Sequence, residues 1–307
     1  MEKSTKNNVD FKAVFKETLN SMTLIPLMIS GGRSNVTTRC NSNITLTDMR
    51  AQYASRVLSN IFAYKDQNTE IILTSIKNSD NKSLSSTITC VVGPVINPST
   101  KKKDVTTSFE EYMRLRQLHV KSRHPTEGKS MSEAWITEAV ISYDFLHNDT
   151  TKPMHAVGLA GLEIDPQFRE AIKVLYNRSR VACILQKFSD GVDCSLYPPL
   201  PTLDMTNFKL LKHKAEIEIT SKYIAGFVPM LNKFSLTRIA KITSELWRFL
   251  LFLSQDYSHY YSSVRTLCDE HNRSHPTMHA RIWMLKVILT IYDAAFAILN
   301  LKPLQYV

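Results

Sequence analysis

The chain has 307 residues, 43% of them hydrophobic and 21% charged, with few Gly and Pro. Such a composition leaves room for two domains and a sizeable core, and excludes a disordered, collagenous or repeat-array chain. A formal net charge of +10 and an isoelectric point near 9.3 favour a polyanionic partner, nucleic acid foremost.

The longest unbroken apolar run is Ala294 to Leu299, so no membrane span is expected. Five scattered cysteines without CxxC spacing indicate neither a zinc site nor a disulfide frame, and suit a reducing cytosol or nucleus. The polar, lysine-containing N-terminal stretch has no apolar core of a secretory signal.

In chain order, Phe11, Val14, Phe15, Leu19 and Met22 have helical spacing, and Pro26 predicts that the helix stops before it. Gly31-Gly32 leads into a polar linker rich in Asn, Ser and Thr. Thr47 or Asp48 is the predicted cap of a helix over 49–64, with Tyr53, Val57, Ile61 and Phe62 facing inward. Two short strands follow, Glu70 to Ile76 and Thr87 to Val92, joined by a polar loop from Lys77 to Ser86 and closed by Gly93-Pro94. Lys101-Lys102-Lys103 reads either as a solvated turn or as a phosphate contact. Helices are predicted over 109–120, 133–145 and 166–185, and Pro198, Pro199 and Pro201 form a stiff linker taken as a domain boundary.

After the linker, a helix is expected around 208–224, then one long or kinked helix from Leu236 to Cys268. A polar loop, Asp269 to His275, leads to a last helix that ends at Leu299. Two apolar stripes dominate this part: Leu246, Leu250, Leu253, Tyr257, Tyr260, Val264, Leu267; and Met278, Ile282, Leu285, Leu289, Tyr292, Phe296, Leu299. Steps of three and four place each stripe on one helix face, to be buried against the other or against neighbours. Asn300 falls where a left-handed residue ends a helix, Leu301 can fold back on the last turn, and Pro303 blocks continuation. Residues from 208 onward carry 13 Lys and Arg against 7 Asp and Glu, the denser basic part of the chain.

Catalytic patterns are absent from the sequence: it holds no GxGxxG, no P-loop and no GxSxG. His271, His275 and His279 are spaced by four, but Pro276 interrupts that face and no carboxylate or Cys completes a metal site. His119 and His124 read as surface groups beside basic residues. Tyr257 and Tyr260 lie on the first stripe and belong to a core, whereas Tyr261 lies off it and is free to face solvent.

The pattern Leu246-x-x-Phe249-Leu250-x-x-Leu253-x-x-x-Tyr257-x-x-Tyr260-Tyr261, then Arg281-Ile282-x-x-Leu285-Lys286, then Phe296-x-x-Leu299-Asn300-Leu301-x-Pro303, resembles the DALR anticodon-binding domain of arginyl-tRNA synthetases. The resemblance covers 208–307 and continues more weakly upstream, through Ala134-Trp135-Ile136, Tyr176-Asn177-Arg178-Ser179-Arg180 and Gly93-Pro94-Val95. Lys101 to Lys103 sits where those enzymes carry their ATP-contacting lysine/serine loop, here without the following Ser-Lys, and no HIGH-type signature occurs. A non-catalytic, synthetase-derived family of animal proteins with the same domain is the better match. Tyr176-Asn177-x-x-Arg180, Leu196-Tyr197-Pro198-x-Leu200-Pro201 and Asp256-Tyr257-Ser258-x-Tyr260-Tyr261 carry that likeness.

The resemblance implies a mainly α fold: a C-terminal all-α helical bundle over 205–307, preceded by a degenerate α/β synthetase-like remnant over 1–204. It also implies a cytoplasmic, non-enzymatic tRNA adaptor that needs no cofactor. Its partners would be arginine tRNAs and a methyltransferase-like protein of the 3-methylcytidine class, acting at position thirty-two of the anticodon loop. The residues expected to meet RNA are Lys241, Arg248, Tyr261, Arg265, Arg281 and Lys286, with Arg178 and Arg180 reaching the inner side of the tRNA. The competing reading is a protein-interaction scaffold without RNA binding. An arginyl-tRNA synthetase is disfavoured by the missing ATP signatures.

Overall fold

A computed structural model describes residues 9–32, 34–40, 42–65, 69–76, 87–123, 130–156, 166–267 and 276–304. The loop Lys77 to Ser86, His124, and the loop from Asp269 to His275, with His271 and His275, lie outside the described residues.

Helix α1 (Phe11–Gly31) starts at Asp10, whose carboxylate accepts the Ala13 N–H, and it runs straight through Pro26. The expected stop is overridden by tertiary packing. Phe15, Met22 and Ile25 are buried, while Pro26 sits on the exposed side, where the loss of one N–H is tolerated. The polar linker after it contains a strand the sequence reading missed, β1 (Val36–Arg39), short but rich in β-branched residues. Helix α2 (Leu46–Tyr64) begins three residues earlier than predicted. Thr45 is its cap, and Asp48 closes a capping box from the third helical position.

Strands β2 (Glu70–Thr74) and β3 (Thr87–Val91) complete a parallel sheet in the order β1-β2-β3, with Val36 opposite Ile71 and Glu70 opposite Thr87. Helix α2 packs on β1 and β2. A second parallel pair, β4 (Val95–Ile96) and β5 (Met154–His155), was also missed, being only two residues long on each side. Between its strands lie α3 (Phe109–Arg123) and α4 (Ser130–Leu146).

One buried arginine joins these parts. Arg50 of α2 donates Nε to the Phe145 carbonyl (2.9 Å), Nη1 to those of Gly93 (3.0 Å) and Lys152 (2.6 Å), and Nη2 to that of Asp149 (3.0 Å). Burial pulls its pKa down to about 10, Asp149 opposing, so it stays charged at neutral pH. Gly93 is required there: a Cβ would stand 2.3 Å from the Lys152 carbonyl oxygen.

The remaining helices are α5 (Pro166–Asp193), α6 (Lys214–Ile219), α7 (Ala225–Lys233), α8 (Ile242–Ser263) and α9 (Met278–Leu299). A π-helical turn, Thr220–Ile224, joins α6 to α7, and Thr18 of α1 donates to its Ile224 carbonyl (3.2 Å). Six 3-10 residues, Leu236–Lys241, precede α8, which ends at Ser263, short of the expected Cys268. Both stripes are buried, save for partial exposure at Leu267 and Leu289. They pack mainly on α5 and α1 rather than on each other: α8 lies along α5, and α9 along α1 and α5.

Asn300 adopts φ 57°, ψ 38°, the Leu301 N–H returns to the Phe296 carbonyl (2.8 Å), and Leu301 is buried, as the sequence predicted. Among the described helices, α9 alone is long and apolar enough to cross a membrane, but 67% of its most apolar 18-residue window is buried against protein. One continuous core runs from Phe11 to Leu304 and includes residues on both sides of Pro198 to Pro201.

Candidate nucleic-acid interface

Helix α5 fixes the first part of the surface. Asn177 anchors its amide to the Lys173 carbonyl (2.8 Å), which leaves Oδ1 to accept from Ser258 of α8 (3.1 Å) and from Arg180 Nη1 (3.3 Å). Arg180 is thereby held over the Tyr261 ring, 4.6 Å from its centroid. Tyr261, one turn after Tyr257 at the edge of the stripe, is 45% exposed, and Arg180 is half-buried. Beneath them Tyr257 lies 6.3 Å from Tyr261 and 6.2 Å from Tyr260. Burial pushes the Tyr257 hydroxyl far up, with Tyr292 and Tyr260 adding to the effect and Arg180 opposing it. That hydroxyl has no hydrogen-bond partner among the described residues. The guanidinium lies over the ring while the rest of Tyr261 faces solvent.

A second part runs along α8. Arg248, Phe252, Gln255, His259 and Ser262 follow steps of four and three, one outward face, and all are exposed except the half-buried Gln255. Lys241 is exposed just before the helix and Arg265 just after it. Phe252, 48% exposed, is a residue that the sequence reading missed. Its signal was available: it lies one turn after Arg248 and off the apolar stripe. Tyr261 stands away from this row, on the side that meets α5. At about 1.5 Å per residue, Arg248 and Tyr261 are some 20 Å apart along the helix. The candidates therefore line an elongated surface rather than one pocket.

Two expected contacts are engaged elsewhere. Arg281 Nε meets Glu216 Oε1 at 2.7 Å, and its Nη1 donates to the Arg265 carbonyl (2.8 Å). Glu216 is wholly buried and also closes the capping box of α6 with His213. Arg178 binds Asp293 of α9 (2.9 and 2.8 Å) and the Leu304 carbonyl (2.9 Å). Both arginines are buried cross-links between elements, although Asp293, the partner of Arg178, is itself half-exposed. Lys286 is exposed over the Trp283 ring, 4.8 Å from its centroid, beside a small apolar hollow of about 270 Å³ lined by Leu185, Phe188, Val192, Leu200 and Ile282.

The α/β part has a matching detail. In parallel sheets, phosphates bind where a helix starts beyond the strand ends. Here the first turn of α2 is filled from within: the Asp48 carboxylate accepts from the Thr45 N–H (2.8 Å) and from the hydroxyl of Ser75, just past β2. Nor is His119 a surface group. It is buried, stacked on Phe168 at 4.8 Å and bonded to Arg116, which forms a two-pronged pair with buried Asp144 (both 2.7 Å). His279 packs against Phe188, and among the described residues no group of His, Cys, Asp or Glu is placed to hold a metal.

The fold is similar to part of the arginyl-tRNA synthetase fold, with a helical bundle at the C-terminal end. The Thermus thermophilus enzyme superposes with a TM-score of 0.55 at 13% identity, over 79% of this chain and 42% of that one. A putative arginyl-tRNA synthetase from Campylobacter jejuni superposes with a TM-score of 0.50 at 8% identity, over 96% of this chain and 63% of that one. In sequence the chain is a relative of proteins called DALR anticodon-binding domain-containing protein 3. It is 25% identical to that of Danio rerio over 231 residues and 27% and 26% identical to those of Rattus norvegicus and Mus musculus over 213 residues. The matches cover 64–70% of this chain, which spans about 40% of the length of those relatives. No family model matches the chain.

Proposed function

We propose that the protein is a non-catalytic, cytoplasmic tRNA-binding adaptor that recognises arginine tRNAs. It hands them to a methyltransferase-like protein of the 3-methylcytidine class for modification at position thirty-two of the anticodon loop. The observation that carries the RNA-binding part is the Arg180–Tyr261 stack, held at the exposed edge of a synthetase-like bundle. The Arg248–Phe252–His259 row supplies a second aromatic between basic groups, suited to a single-stranded loop and its phosphates. The net charge supports the same reading. The non-catalytic part is supported by the missing HIGH-type and lysine/serine signatures in the sequence.

Binding of purified protein to arginine tRNAs and to other tRNAs at physiological salt tests this. Preference for the arginine set is expected. Tyr261→Ala should weaken binding by about 1–3 kcal/mol, the worth of one base stack, while leaving the melting temperature nearly unchanged. Equal or undetectable binding to all tRNAs favours a scaffold role, and arginine-dependent ATP–pyrophosphate exchange would overturn the non-catalytic part. The partner is tested by 3-methylcytidine formation on arginine tRNA in a mixture with the methyltransferase: no gain on adding this protein removes the adaptor.

A further inference from the structure

We infer that the turn at Lys101 to Lys103 is a separate phosphate-binding site for the RNA backbone, remote in sequence from the α5–α8 surface; this rests on the tRNA reading above. The turn is built with unusual thoroughness. Asn97 Oδ1 accepts from the N–H groups of Ser99 (2.9 Å) and Thr100 (3.2 Å). The Lys101 N–H returns to the Asn97 carbonyl, and the Asn97 N–H donates to the Lys102 carbonyl, both at 2.9 Å. Lys103 bridges back to Ile96, and the Asp104 N–H reaches the Val95 carbonyl (2.8 Å).

Behind the turn, Asp104 is only 3% exposed. Its carboxylate accepts the N–H groups of Thr106 and Thr107 (both 3.0 Å) and the Thr107 hydroxyl (2.8 Å). Burial alone would raise this carboxyl, but those bonds outweigh it and hold its pKa below the usual value.

What the frame presents is charge. Lys101, Lys102 and Lys103 are all exposed, and none takes part in an ion pair among the described residues. Lys152 and His155 are exposed on the neighbouring segment, His155 directly across β4 from Ile96. Lys101 has φ 55°, a conformation in which Gly or Asn is less strained. A lysine kept there, on a turn already ordered before binding, loses little further freedom when a ligand arrives. Three successive cations match a repeating polyanion.

Salt dependence of tRNA binding tests the site. The triple variant Lys101→Ala/Lys102→Ala/Lys103→Ala should lower the slope of log K against log salt by about 2–3, at roughly 0.7–0.9 per lost contact. Lys101→Gly relieves the strained backbone, so it should keep or raise the melting temperature yet lose about 0.7–0.9 of slope. Unchanged slopes in both variants, with wild-type binding intact, overturn this site and leave the tRNA reading standing. If millimolar ATP displaces tRNA from wild type but not from the triple variant, the turn is a nucleotide site, and the inference is overturned. A wild-type protein that binds no tRNA at any salt removes both readings.

Discussion

Arg281 illustrates how a single side chain changes meaning between sequence and fold. It lies one position before Ile282 on a helix that is apolar nearly all round, so a charge there had to be either at the rim or paired within. The family likeness drew attention to its charge, but the partner, Glu216, lies 65 residues upstream, and no local pattern joins the two. Arg281→Ala leaves the Glu216 carboxylate buried without its cation, and a loss of about 3–5 kcal/mol in denaturant unfolding is expected. Arg281→Met combined with Glu216→Leu should recover most of that loss, because it removes both charges. If the single variant is as stable as wild type, the pair is not the cross-link described here. Tyr261 was legible for the opposite reason: helical spacing alone put it off the stripe. Its partnership with Arg180 needed the packing of α5 on α8.

Among elements, the long helices were readable because amphipathic periodicity accumulates over many turns. Strands β2 and β3 were legible too, but β1, β4 and β5 were not, since they have only two to four residues and leave no period to detect. Pro26 does not end α1 because local propensity is overridden by the packing of α1 on α9 and α2. The end of α9 was legible residue by residue, since Asn300, Leu301 and Pro303 each have a chemical reason to stop a helix. Asn300→Gly should leave the melting temperature unchanged or slightly higher. Asn300→Val, forced into the left-handed region, should lose about 1–2 kcal/mol. Equal stability of the Gly and Val variants would mean that the left-handed turn is not present in solution.

For the molecule as a whole, the bundle and the α/β remnant are not independent in energy. The Thr150 N–H donates to the Ala240 carbonyl, the Asn60 amide to those of Ala297 and Ile298, Arg178 binds Asp293, and one core passes through both parts. Thermal unfolding followed by Trp fluorescence and by helical circular dichroism should give coincident midpoints. Arg50→Met should move both together, by an amount reflecting several orphaned buried carbonyls at about 1–3 kcal/mol each. Two separated transitions would show that the parts unfold independently. Sequence reasoning did not anticipate this coupling, because the Pro198 to Pro201 segment marks a change of composition and not a gap in the packing.

The packing of α1 on α9 sets a timetable for synthesis. Roughly 250 residues separate the two helices, and ribosomes add about 5–20 residues per second, so α1 waits on the order of 10–50 s for its cover. Throughout that interval the side of α1 that faces α9 lacks the surface that covers it in the finished protein. A nascent chain stalled before Met278 should therefore be the form that chaperones hold, released only when the last helix emerges.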